Sequence, residues 1–69
     1  MRYNTLMKYA IRHLGTSDFL SGFARNGEPE WVAGWDNADM LLYPSEKDAN
    51  PDQDRITADG LNSIIEDIS

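Results

Sequence analysis

Asp48, Asn50, Asp52 and Asp54 stand at alternate positions, a spacing of oxygen donors suited to holding a hard cation. Oxygen ligands at the first, third and fifth positions ahead of a helix are what an EF-hand-type loop offers Ca2+. Counted from Asp48, the seventh position is Asp54 and the twelfth is Asp59. The candidate metal ligands are therefore Asp48, Asn50, Asp52, Asp54 and Asp59. The run departs from the loop pattern in several places. Gln53 stands where the loop needs glycine for its sharp turn, and Pro51 stiffens the fourth position. Asp59 replaces the bidentate Glu, and Ile56 falls one place late. A polar linker rich in turn residues explains the same letters, and no metal or cofactor is expected.

Little else in the chain could run a reaction. His13 is the only histidine and there is no cysteine, which excludes disulfides and thiolate metal sites. No serine or threonine lies in a nucleophile-elbow context. Neither a phosphate-cradling glycine pattern nor a helical pair of histidines occurs. Asp36 and Asp39 could share acid–base work, but on a turn such residues are turn formers and solvated charges. The expectation is a protein that is not an enzyme. Trp31, Trp35 and Tyr43 could form an aromatic platform for a sugar or a peptide, although so small a domain needs that bulk in its core.

Charge is distributed unevenly. Residues 1–27 hold four basic side chains against Asp18 alone, a net of +3. Residues 28–69 hold Lys47 and Arg55 against eleven carboxylates, a net of −9. The whole chain carries −6. Such asymmetry bears on association and solubility rather than on fold. A helix, a possible second helix and a hairpin would follow the order of a winged helix-turn-helix. Yet Glu28, Glu30, Asp36 and Asp39 on the wing would face phosphates, where binding needs cations. Direct nucleic-acid binding is disfavoured.

The elements that must position these groups are read from periodicity. Tyr3, Leu6, Met7, Ala10, Ile11 and Leu14 recur as one stripe of an amphipathic helix, stopped by Gly15. Residues 17–27 fit either a short helix or, slightly better, a strand from Phe19 ending in the Asn26-Gly27 turn. Trp31, Ala33 and Trp35 alternate as a strand entered after Pro29, and Met40 to Tyr43 can return as its partner. Residues 44–56 read as a polar acidic loop with two prolines. Thr57 then opens a final helix carrying Leu61, Ile64, Ile65 and Ile68, with Glu66 and Asp67 at the unfavourable end of its dipole.

These readings predict an α+β fold in a single domain spanning residues 1–69. It comprises an N-terminal amphipathic helix, a two- or three-stranded antiparallel meander and a C-terminal helix. The expected core is Tyr3, Leu6, Met7, Ile11, Phe19, Phe23, Trp31, Leu41, Leu61, Ile64 and Ile65. No apolar run approaches a membrane span and Met1–Arg12 lacks a signal-peptide core, so a soluble cytoplasmic protein is expected. If the chain is phage-encoded, that cytoplasm is the host's. The functional expectation is a non-enzymatic inhibitor that binds a basic, nucleic-acid-handling protein by mimicking nucleic-acid charge. Phage- or plasmid-type inhibitors of restriction, CRISPR or repair enzymes are of this kind. Its partner-binding residues would be Glu28, Glu30, Asp36, Asp39, Glu46, Asp48, Asp52 and Asp54. The rival expectation is a structural or adaptor subunit that docks through an apolar sheet or helix face.

Overall fold

The computed structural model describes residues 8–34 and 38–68. Four strands and one helix follow one another as β1 (Tyr9–His13), β2 (Phe19–Phe23), β3 (Pro29–Val32), α1 (Glu46–Ala58) and β4 (Ser63–Asp67). The strands form one antiparallel sheet in the order β3-β2-β1-β4, with α1 packed across β1 and β4. The class is α+β.

Both terminal elements differ from the periodicity reading. Tyr9–His13 is a central strand, not the second half of a helix; the other stripe residues Tyr3, Leu6 and Met7 lie outside the described residues. Ala10 and Ile11 are both fully buried, because successive side chains of a strand point to opposite faces and both faces of this one are covered. Adjacent apolar positions of that kind imitate one side of a helix. The same confusion arises at the C-terminal end. Residues 63–67 form an edge strand in which Ile64 and Ile65 face opposite ways, and Ile64 is exposed rather than in the core. β-Branched isoleucines favour this extended conformation.

The helix lies earlier, where a loop was expected. Ser45 is its N-cap, with Oγ accepting the Asp48 N–H at 3.2 Å. Glu46 and Asp48 in the first turn suit the positive end of the dipole, and Arg55 in the last turn suits the negative end. Pro51 stands inside the helix and removes one backbone bond. Burial of Ala49 and Ile56, seven residues apart on one face, offsets that loss. A fully buried Ile contributes about 1.5–3 kcal/mol. Thr57 is therefore near the end of a helix; Asp59 caps it and Gly60, at φ 85°, turns the chain toward β4.

β2 and β3 form the expected hairpin, but Asn26-Gly27 does not occupy the centre of its turn. Gly27 N–H returns to the Ala24 carbonyl, which makes Arg25 and Asn26 the central residues. Gly27 follows at φ 91°, as in a turn closed by a glycine bulge. Within β2 the register slips between Leu20 and Gly22, leaving Ser21 as the extra residue. That bulge is what lets Leu20 and Phe23, three apart, both pack toward the helix.

Met40–Tyr43 does not pair with β3. The aligned pairing of β1 with β2 is confined to Arg12 opposite Phe19, beyond which the strands splay. The segment enters that gap: Leu41 N–H donates to the Leu20 carbonyl, and Tyr43 and Tyr9 exchange both backbone bonds. Met40 and Tyr43 are buried as a result. The core on the helix side is Ile11, Leu20, Tyr43, Ala49 and Ile56, flanked by Phe23, Trp31, Leu41, Leu61 and Ile65. A smaller cluster of Ala10, Phe19 and Met40 occupies the opposite face.

Candidate acidic binding surface

Helix α1 carries its charges on two flanks. Asp48, Asp52, Arg55 and Asp59 follow one another at helical spacing along one side. Glu46, Asn50 and Asp54 line the other, with the buried Ala49 and Ile56 between the flanks. The five residues considered as a Ca2+ loop are thus spread around a helix and its cap. Among the described residues no cluster of three or more His, Cys, Asp or Glu is placed to hold a metal ion.

Several of the carboxylates have structural work. Asp52 accepts the Tyr43 hydroxyl at 2.6 Å and lies 3.9 Å from Arg55. Burial, and then the Asp52 carboxylate that accepts its proton, push the Tyr43 phenol well above its ordinary range. Asp48 takes part in the cap with Ser45. Glu66 pairs with Arg12 at 2.7 Å on the sheet face opposite α1, so it is a strand residue with a partner rather than a misplaced charge at a helix end. Glu28, Glu30, Glu46, Asp54 and Asp59 are exposed and make no ion pair with another described residue.

The seven expected binding residues that are described fall on separate faces rather than in one continuous array. Glu28 lies beside the helix terminus, whereas strand alternation puts Glu30 on the opposite face from Trp31. Glu46 and Asp54 occupy the far flank of α1. Asp39 is exposed in the turn before Met40, and Asp36 lies outside the described residues. The arrangement does bring together two carboxylates from distant parts of the sequence. Glu28 and Asp59 line a cleft of about 340 Å³ with Pro29, Trp31 and Leu61. The sequence marks Asp59 as a candidate metal ligand and a first-turn helix residue, and nothing local to it signals that Glu28 lines the same cleft.

The aromatic residues divide similarly. Trp31 is half-buried on the helix side, where His13 meets it edge-to-face at 4.9 Å between ring centres. Tyr43 is in the core, and Trp35 lies outside the described residues. Next to the cleft, the Arg55 guanidinium lies 3.8 Å above the centre of the Phe23 ring. Comparison with protein-family models, with curated proteins and with solved structures finds no match to the chain.

Proposed function

We propose that the protein is a non-enzymatic acidic binder that occupies the phosphate-binding surface of a basic, nucleic-acid-handling protein. The observation that carries this reading is the set of exposed carboxylates at Glu28, Glu30, Glu46, Asp54 and Asp59, held without ion-pair partners among the described residues. Like charges kept apart on a folded surface repel one another, and a cationic partner relieves that repulsion while being steered toward it. An inhibitor of a restriction, CRISPR or repair enzyme, acting in the cytoplasm of a phage's host, is the concrete form of this proposal.

One observation favours a second reading. Leu14 and Ile64 are exposed, Ile64 in β4 beside Arg12 and Leu14 one residue past the end of β1, where its N–H donates to the Asn62 carbonyl just before β4. An adaptor could dock on that corner. Capture of partners from a host lysate separates the two. Charge mimicry predicts a nucleic-acid-binding protein that duplex DNA or RNA competes off the immobilised chain. A partner retained against nucleic acid and lost on Leu14→Ser/Ile64→Ser favours docking and contradicts charge mimicry.

A further inference from the structure

We propose that the cleft between β3 and the end of α1 is a seat for one arginine side chain of the basic partner. The proposal rests on the charge-mimic reading and names where on the surface a specific contact is made. Three features converge there. Pro29, Trp31 and Leu61 give the cleft an apolar lining, and Glu28 and Asp59 place a carboxylate at its margin from two separate elements. Trp31 is the aromatic ring best suited to attract a cation, and His13 packs against it edge-to-face. The adjacent Phe23 already has a guanidinium, that of Arg55, seated on its face at 3.8 Å, so the same mode of contact operates within the fold a short distance away.

Arginine fits better than lysine. A planar guanidinium can lie on an indole face and still direct its in-plane donors at carboxylates to either side. An ammonium is a compact, strongly hydrated charge that gains less from the ring. The contact also adds what diffuse charge lacks, a fixed register between the two proteins. Polyanionic surfaces attract many cations equally, whereas a cleft with an aromatic floor and two acids at its margin favours a planar one.

The test is a titration of the isotopically labelled protein with N-acetyl-arginine amide, followed by NMR. The uncharged isostere N-acetyl-citrulline amide is the control. The expected result is a saturable shift of the Trp31 indole N–H and of the Glu28, Asp59 and Leu61 amides with the arginine probe alone. Glu28→Gln/Asp59→Asn should weaken that binding at least about fivefold, and Glu46→Gln/Asp54→Asn, with the same change in charge, less than about twofold. Equal losses in the two variants, equal shifts with citrulline, or an unmoved Trp31 signal overturn the cleft. A hexa-arginine peptide distinguishes the two levels of the account. Salt-sensitive binding of that peptide with Trp31 unmoved leaves charge mimicry standing without the cleft, while no binding of it overturns both.

Discussion

Tyr43 and Asp52 form the contact by which the acidic helix is fastened to the sheet. The Tyr43 backbone bonds to Tyr9 while its hydroxyl donates to Asp52, so one residue joins β1, the inserted segment and α1. Replacing Tyr43 by Phe keeps the ring and deletes the bond. We expect a loss of about 1–2 kcal/mol at pH 8, measured by chemical denaturation. The pH dependence has a definite sign. A phenol whose folded value is raised above the ordinary value of 10.0 contributes stability that is fully present below about pH 10. That contribution is lost as the pH rises above 10 toward the folded value. The stability gap between the native chain and Tyr43→Phe should therefore narrow from pH 8 to pH 11, since the other titrating groups are common to both. A gap that stays constant would show that Tyr43 does not ionise in the folded state differently from the unfolded one.

At the level of elements, the structure depends on a helix that begins at Glu46, eleven residues before Thr57, where the periodicity reading opened one. The start signal was present: Ser45-Glu46-Lys47-Asp48 is a serine cap with an acid three residues on. Pro44 and Pro51 concealed it, because two prolines and several Asp suggest a loop. Ser45→Ala should lower stability by about 1 kcal/mol and reduce helicity by circular dichroism, while a true loop at 44–56 would show no such loss. A strand at Phe19–Phe23 and a turn near Asn26-Gly27 were legible as local signals. The bulge at Ser21, the turn centre at Arg25-Asn26 and the bounds of β3 at Pro29–Val32, earlier than the alternation of Trp31, Ala33 and Trp35 suggests, were not. Nor were β1 and β4. Ala10 beside Ile11 and Ile64 beside Ile65 fit a helical stripe as well as a strand with two apolar faces, and only the pairing of Ile11 with Ile65 decides between them. That pairing spans most of the chain. The core was legible at Ile11, Phe19, Phe23, Trp31, Leu41, Leu61 and Ile65. Ala49, Ile56 and Tyr43 were hidden among polar neighbours, and Leu20 was set apart from the helix-facing Phe23 by the bulge. Of the site, the individual acids were visible as a composition, but the shared cleft of Glu28 and Asp59 was not.

At the scale of the molecule, the lopsided charge of the sequence does not become a basic lobe and an acidic lobe among the described residues. β1, from the basic half, lies between β2 and β4, and Arg12 reaches across to Glu66. Arg55 sits on Phe23 within reach of Asp52. Among the described residues, the carboxylates of Glu28, Glu30, Glu46, Asp54 and Asp59 stand without an ion pair on α1, its cap and the β2–β3 hairpin, as do the exposed cations Arg25 and Lys47. Glu28 and Asp59 line the same cleft, and there the general attraction acquires a local shape. The central claim is that this surface binds through charge, and its most direct test is the affinity for the captured partner as a function of ionic strength. An interface that replaces several phosphate contacts should lose on the order of 100-fold or more in affinity between about 50 and 200 mM salt. It should also be displaced by duplex DNA at a concentration set by the partner's own affinity for that DNA. An affinity that holds constant across that range of salt, with duplex DNA bound at the same time, would contradict the account.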